Sequence, residues 1–287
     1  MNLEQNETLD LARARNIRDA LTEDIGRVDW TANLVPASQT VQAQVVAKEA
    51  AVLCGADWFD GCILALDPSA AIRWNAREGD RVAQGTVVCT IAARARALLS
   101  AERSALNFLQ MLSGVATKTR GYMEAIAGAS PNPRGCLVVD TRKTLPGLRQ
   151  AQKYAVRAGG GSNHRMALWD GILIKENHIA AAGGIPEVLA HARALEAGVD
   201  IQIEVEDLDE LRIALENGAK NVLLDDFTLA DVRLAVALNA GRAVLEVSGG
   251  VDLASVRDIA ATGVDRISIG KLTKDVRAVD LSLRVVG

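Results

Sequence analysis

The chain reads as an α/β protein in which a β/α barrel follows an N-terminal α+β domain. Three observations predict this. From Cys136 onward, short aliphatic runs alternate with helical stretches; before Ser130 the pattern is antiparallel and ends in a long helix; and a turn-rich hexapeptide, Ser130-Pro131-Asn132-Pro133-Arg134-Gly135, separates the two regions. The expected domains are therefore 1–129 and 130–271.

In the first region Val41 to Ala47 alternates apolar and polar residues, as a half-buried strand does. Gly79-Asp80-Arg81-Val82-Ala83-Gln84-Gly85-Thr86-Val87-Val88 reads as a strand, a glycine-bounded turn and another strand. From Arg96 to about Met123 the apolar residues Leu98, Leu99, Leu106, Leu109 and Leu112 recur at helical spacing, predicting one long helix or a helix pair. Beyond the hexapeptide the candidate strands are Cys136 to Val139, Ile172 to Ile174, Ile201 to Val205, Val222 to Leu224, Ala243 to Val247 and Arg266 to Ile269. Helices between them have readable starts: Asp207-Leu208-Asp209-Glu210 has capping-box spacing, and Thr228-Leu229-Ala230-Asp231 offers a similar cap. Strands alternating with helices imply a parallel sheet, open or closed into a barrel.

Composition narrows the function. A chain of 287 residues with 49% hydrophobic content can fill one large core or a large and a small one. Only 3% of residues are aromatic, so stacking platforms for single-stranded nucleic acid are scarce. Cys54, Cys62, Cys89 and Cys136 show no CxxC pairing and sit in apolar stretches, as buried free thiols of a reducing compartment do. The start, Met1-Asn2-Leu3-Glu4-Gln5, lacks a basic region with an apolar signal core, and no apolar run is long enough to span a bilayer. The expectation is a soluble cytoplasmic protein that engages neither membrane nor nucleic acid.

The charge pattern points to a ligand. Between Asp140 and His178 there are seven Lys or Arg against three acids, inside a chain whose formal net charge is −4. A local cationic patch in an acidic protein suits a small polyanion better than a duplex, which needs an extended basic face. The strand ends carry, in order, Asp140, Lys175, Glu204 with Glu206, Asp225 with Asp226, Ser248-Gly249-Gly250, and Gly270-Lys271. In a barrel all six groups share one mouth; on an open sheet they are spread along one edge. This convergence of cations, carboxylates and glycine turns favours the barrel.

Each group also has a structural reading. Asp140, Asp225 and Asp226 could cap the helices that follow them. Glu204 lies in Ile201-Gln202-Ile203-Glu204-Val205, a strand buried on both faces, and so needs a cationic or metal partner; Lys175 could supply it as a structural ion pair. Arg142 and Lys143 could be a solvated surface pair, but they directly follow a strand. His164 and Arg165 follow Gly159-Gly160-Gly161, where backbone amides can approach an anion. Two late glycine turns, Ser248-Gly249-Gly250 and Ile269-Gly270-Lys271, resemble phosphate-binding loops.

In this order the blocks carry a resemblance. Glu102-Arg103-Ser104-Ala105-Leu106-Asn107-Phe108-Leu109-Gln110, Asp140-Thr141-Arg142-Lys143-Thr144, Gly159 to Arg165, Ile174-Lys175-Glu176-Asn177-His178, Ile203-Glu204-Val205-Glu206, Leu223-Leu224-Asp225, Ser248-Gly249-Gly250 and Gly263 to Gly270 make the chain similar to the quinolinate phosphoribosyltransferases over nearly its whole length. The resemblance implies phosphoribosyl transfer from phosphoribosyl pyrophosphate to quinolinate with decarboxylation, giving nicotinate mononucleotide, carbon dioxide and pyrophosphate. It also implies an N-terminal α+β sandwich and an incomplete β/α barrel, with 272–287 returning to the first domain. The family forms head-to-tail homodimers with shared active sites.

Carried over residue by residue, Arg103, Arg142, His164 and Arg165 hold the dicarboxylate, Arg103 reaching in from the partner subunit. Thr141 belongs to the substrate-binding set, and Lys143 and Lys175 face the phosphates or the developing charge. Glu204 and Asp225 bind magnesium or the ribose hydroxyls, while Ser248, Gly249 and Gly250 with Ile269, Gly270 and Lys271 cradle the 5′-phosphate. Lys143, Lys175, Glu204 and Asp225 form the catalytic set. The chain departs from the family pattern at Asp225-Asp226, where Asp-Asn is common, and at Leu272-Thr273-Lys274, where a His commonly follows the Thr. The rivals are a molybdenum-transport-associated paralogue of the same fold, which Lys175-Glu176-Asn177-His178 and Glu102-Arg103 disfavour; a nicotinate-type transferase, whose monocarboxylate needs fewer cations; and a non-catalytic anion-binding module.

Overall fold

A computed structural model describes residues 6–286. The chain divides into two compact units. One runs to Arg120 and adds Thr144–Gly160 and the segment from Leu272 onward; the other comprises Gly121–Lys143 and Gly161–Lys271. The hexapeptide thus lies inside the second unit, nine residues beyond its first residue, Gly121. Residues 144–160, which follow a barrel strand in sequence, cluster with the first unit.

The first unit begins with α1 (Leu9–Ile25), whose N-terminus is capped by Thr8, and continues through β1 (Thr40–Ala47), β2 (Ala51–Val52), α2 (Ala56–Leu66), β3 (Ala71–Trp74), β4 (Arg81–Val82), β5 (Val87–Arg94) and most of α3 (Ala95–Ile126), whose last six residues belong to the second unit. The strand–turn–strand read at 79–88 is present, but its halves part company. β4 pairs with β2, whereas β5 lies between β1 and β3. The main sheet is antiparallel, in the order β12-β1-β5-β3, with β12 (Leu281–Val286) paired to β1 from Gln42↔Val286 to Ala47↔Leu281.

The long apolar periodicity is a single helix of 32 residues. Leu98, Leu106, Leu109 and Leu112 are buried on one stripe of α3, each worth about 1.5–3 kcal/mol relative to exposure. Two glycines let backbone approach this unit's helix closely. A Cβ on Gly114 would overlap the Arg277 carbonyl, and one on Gly159 would lie 2.5 Å from the Ala116 carbonyl.

In the second unit six strands form one wholly parallel sheet: β6 (Leu137–Val139), β7 (Ile172–Ile174), β8 (Ile201–Val205), β9 (Asn221–Asp225), β10 (Val244–Ser248) and β11 (Arg266–Ser268). Its order is β6-β11-β10-β9-β8-β7, so β6 and β7 are the ends of an incomplete barrel. Beyond β6 the sheet gains one bridge, Val139 to Ser162. The connecting helices are α5 (Glu176–Ala182), α6 (Ile185–Ala194), α7 (Leu208–Glu216), α8 (Leu229–Asn239) and α9 (Val256–Ala260); α4 (Arg149–Ala158) and most of α10 (Lys271–Lys274) fall in the first unit. Both expected caps form. Asp207 accepts from the Glu210 amide at 2.8 Å, and Thr228 from the Asp231 amide at 3.2 Å.

The first unit contains a carboxyl whose titration is legible in its surroundings. Asp60 accepts from the Trp74 indole at 3.1 Å through both oxygens, yet burial, with Asp57 and Glu78 nearby, raises its pKa to about 6. The folded state therefore holds a proton that the unfolded chain has already released. Stability from this group is fully present below the unfolded pKa near 3.8 and is lost as pH rises through about 6. Urea midpoints measured across that window should fall for the wild type relative to Asp60→Asn, and parallel profiles would remove Asp60 as the cause.

Candidate active site

All six strands run the same way, so their carboxyl ends lie on one edge of the sheet. Asp140 follows β6, Lys175 follows β7, Glu204 sits one residue before the end of β8, Asp225 and Ser248 close β9 and β10, and Gly270-Lys271 follow β11. Register brings neighbours together. Ile174 pairs with Ile203, which places Lys175 beside Glu204, and its Nζ bonds both Glu204 oxygens at 2.8 and 2.5 Å. The lysine is half exposed and the glutamate nearly buried, so the pair gives Glu204 the counter-charge that its strand demands. Ser248 is in register with Asp225 on the adjacent strand.

Asp140 is fully buried and anchors the segment beyond the sheet's end. Its carboxylate accepts from Asn163 Nδ2 at 2.5 Å and from the His164 amide at 3.0 Å. This fixes the chain at His164 and Arg165 against the end of β6. Arg165 donates through Nη1 to the Gly171 carbonyl at 2.8 Å. Burial and the nearby Arg142 guanidinium both hold the pKa of Arg165 below its usual value. A guanidinium held below its usual pKa by burial and by a neighbouring guanidinium is stabilised by an anion that binds beside it.

A cavity of about 390 Å³ is lined by Val139, Ser162, His164, Arg165, Gln202 and Arg266, among others. It runs toward Asn221 and Arg266, the first residues of β9 and β11, and so reaches the amino edge. Glu204 and Asp225 do not line it. His164 and Arg165 are the two expected site residues that do.

The glycine turns are close-fitting. Gly249 has φ near +100°, and a Cβ there would overlap the Asp226 carboxylate. Asp226 itself has φ near +53°, the left-handed conformation that Asn and Asp tolerate best, and its amide bonds the Ser248 carbonyl at 3.1 Å. The Asp225-Asp226 departure thus preserves the backbone that Asn would adopt. Gly270 faces the Lys143 stem, with a notional Cβ 3.2 Å from Lys143 Cδ, while Thr141 Oγ1 accepts from the Lys143 amide at 3.0 Å. Ile269 is buried, and its amide bonds the Val139 carbonyl at 2.9 Å. Lys271 lies close enough to Asp252 to assist the Ser255 amide and hydroxyl in holding that carboxyl below the usual range.

Other expectations meet a different arrangement. Gly159 ends α4 and fits against Ala116 and Thr119, so close packing, not anion approach, requires its missing side chain. Arg149, Lys153 and Arg157 lie on α4 in the first unit, whereas Arg142, Lys143, Arg165 and Lys175 belong to the second. Lys153 is fully buried. Arg103 is exposed on α3 and, among the described residues, has no acidic partner. Lys274 is exposed at the end of α10. Three contributors were not singled out from the sequence: Gln202 and Glu246, which join His164 inside the sheet, and His178, whose Nδ1 accepts from the Lys175 amide at 3.1 Å. A charged or amide residue in an apolar strand, as in Ile201-Gln202-Ile203 and Leu245-Glu246-Val247, was the signal available for the first two.

Carboxylates also crowd this edge. Glu176, by hydrogen bond and by charge, raises the pKa of Glu206, with smaller like-charge effects from Glu210 and Asp225. Among the described residues no three His, Cys, Asp or Glu side chains form a cage for a metal ion.

A parallel α/β sheet with cations, carboxylates and glycine turns along its carboxyl edge defines an enzyme of small anionic substrates. Comparison with known proteins gives the family. Residues 29–113 match the N-terminal domain, and residues 115–284 the C-terminal domain, of quinolinate phosphoribosyl transferase. A probable carboxylating nicotinate-nucleotide pyrophosphorylase of Bacillus subtilis is 40% identical over 92% of this chain and 90% of its own length. The carboxylating nicotinate-nucleotide pyrophosphorylase of Mycobacterium leprae is 39% identical, over 93% and 95%. The structure of the Francisella tularensis nicotinate-nucleotide pyrophosphorylase superposes with a TM-score of 0.92 at 41% identity, covering 99% of this chain and 100% of that one. The chain belongs to the quinolinate phosphoribosyl transferase family.

The fit at Gly249 is open to test. Gly249→Ala should cost about 1–3 kcal/mol of stability by forcing a left-handed alanine against Asp226, and should weaken phosphate-bearing ligands selectively. Thermal unfolding and equilibrium binding measure the two effects, and an alanine variant with wild-type stability would contradict this geometry.

Proposed function

We propose that this protein transfers the phosphoribosyl group of phosphoribosyl pyrophosphate to the ring nitrogen of quinolinate, releasing pyrophosphate and carbon dioxide and forming nicotinate mononucleotide. The observations that support the proposal are Arg165, held below its usual pKa by burial and by the nearby Arg142, and the Lys175–Glu204 ion pair at the carboxyl ends of β7 and β8. Quinolinate has two adjacent carboxylates, and two neighbouring guanidinium groups are suited to such a dianion. A monocarboxylate would leave part of that charge unmatched.

In this reading Arg142 and Arg165 orient the ring, and Lys143 faces the phosphates from beside Gly270. Lys175 shares its charge between Glu204 and the substrate. Ser248, Gly249 and Gly250 receive the 5′-phosphate together with Gly270 and Lys271. As pyrophosphate leaves, positive charge develops on the ribose ring, and carboxylates at Glu204 and Asp225 stabilise it or hold the ribose hydroxyls. Once the ring nitrogen is quaternised, carbon dioxide leaves from the adjacent carbon, the cationic nitrogen stabilises the electron pair left there, and a proton from water takes up that pair, so no covalent nucleophile is required. Magnesium, carried in with the pyrophosphate and held by Glu204 or Asp225, would neutralise the leaving group.

Two further parts of the reading concern assembly and compartment. Arg103 is an exposed arginine without an acidic partner among the described residues, as expected if it completes the site of a second subunit in a homodimer. Four buried free cysteines are in keeping with a reducing cytoplasm, and no helix among the described residues is long and apolar enough to cross a membrane.

The deciding assay supplies phosphoribosyl pyrophosphate and magnesium with either quinolinate or nicotinate and follows carbon dioxide and nicotinate mononucleotide. Product from quinolinate is expected, with nicotinate a poor substrate; no product from quinolinate would exclude the proposal. In the same assay, inactive Arg103→Ala and Lys175→Ala subunits should regain activity when mixed, and absence of rescue would count against a shared site.

A further inference from the structure

Inside the second unit's sheet lies a polar chain that burial alone disfavours. Glu246, on β10, is fully buried, and Gln202, on β8, nearly so. Gln202 Nε2 donates to Glu246 Oε2 at 3.1 Å, and Gln202 Oε1 lies 2.8 Å from His164 Nε2. At the far side of the imidazole, the Arg165 amide donates to Nδ1 at 2.8 Å. Glu246 Oε1 is 3.5 Å from His164 Nε2 and makes no hydrogen bond. Burying a carboxylate with one oxygen unsatisfied is expensive, and an apolar residue would fill this place at lower cost.

The direction of the chain is forced from both ends. An ionised carboxylate only accepts, so Gln202 turns its amide nitrogen to Glu246 and its oxygen to His164. The ring hydrogen therefore belongs on Nε2. Independently, the Arg165 amide needs a lone pair on Nδ1, which the same tautomer provides. Both ring nitrogens are thereby committed, one to the interior and one to the backbone of Arg165.

We propose that Gln202 and Glu246 are positioning residues for the dicarboxylate substrate: they fix His164 as the Nε2–H tautomer and, through it, the backbone of Arg165. The proposal rests on the assignment of Arg165 to the substrate carboxylates. Asp140 holds the His164 amide, so this residue is fixed at its backbone from one side and at its ring from the other. Arg165 is then restrained at its amide by His164 and at its guanidinium by the Gly171 carbonyl. Its loss of freedom is met before the ligand arrives, which is how a second layer of polar residues raises affinity without touching substrate.

The test is nitrogen NMR of the full-length protein labelled with 15N-histidine. The chain has three histidines, so substituting His178 and His191 in turn assigns His164. The ligand-free wild type should show His164 in the Nε2–H form, and a Nδ1–H form or an imidazolium at neutral pH would overturn the proposal. Gln202→Leu/Glu246→Leu removes the polar pair together and leaves no unpaired carboxylate; with only the Arg165 amide left to hold the ring, the Nε2–H fraction of His164 should fall. Its KM for quinolinate should rise about tenfold, the effect of one charge-assisted hydrogen bond, while the KM for phosphoribosyl pyrophosphate stays within about twofold. An unchanged quinolinate KM would overturn the proposal. Gln202→Met carries the same expectations and decides the matter if the double variant does not fold. Glu246→Gln, which can still offer an oxygen to Gln202, should restore both tautomer and KM. Failure of the proposed reaction itself would appear as no product in the wild type, whereas the tautomer measurement needs no turnover.

Discussion

The cost of leaving a carboxylate unpartnered inside a parallel sheet organises this protein's second unit. Asp140, Glu204 and Glu246 lie in or at the ends of three strands, and each recruits a different donor: the Asn163 side-chain amide with the His164 backbone amide, the Lys175 ammonium, and the Gln202 amide. Those donors are the residues, or the neighbours of the residues, that face the anion site. Satisfying the interior therefore builds the edge. Arg165, held below its usual pKa by burial and by Arg142, is a group that a bound anion stabilises.

Much of the second unit was readable because its signals are local. Ile172–Ile174 and Ile201–Val205 are strands with the expected bounds, and the other four shift by a residue at one or both ends. Each is a short β-branched or aliphatic run between turn residues, and sequence reports that directly. Glu204 stood out for the same reason, as a charge in an apolar strand. Gln202 and Glu246 send a similar signal, but an amide two residues from a better-marked carboxylate and a glutamate in an edge-like Val-Leu-Glu-Val pattern are easily taken for solvent-facing positions.

What was not readable is non-local. The turn at Gly79 to Val88 looks like a hairpin, yet its strands serve different sheets, because pairing depends on partners at Ala51 and Thr40 that the local pattern does not name. Gly159-Gly160-Gly161 resembles an anion loop until Ala116 and Thr119 are placed against Gly159. Likewise, seven cations within 140–178 suggested one patch, but a helix carries three of them into the other unit. Charge counts locate a basic segment and say nothing of which way its side chains are turned.

The measurement that bears most directly on this account is quinolinate affinity in Asp140→Asn, by titration calorimetry. The substitution is nearly isosteric and removes only the charge that holds Asn163 and the His164 amide. If buried carboxylates organise the site, the variant remains folded and binds quinolinate about tenfold or more weakly, the expected loss for charge-assisted bonds. Wild-type affinity in a folded Asp140→Asn protein would contradict it.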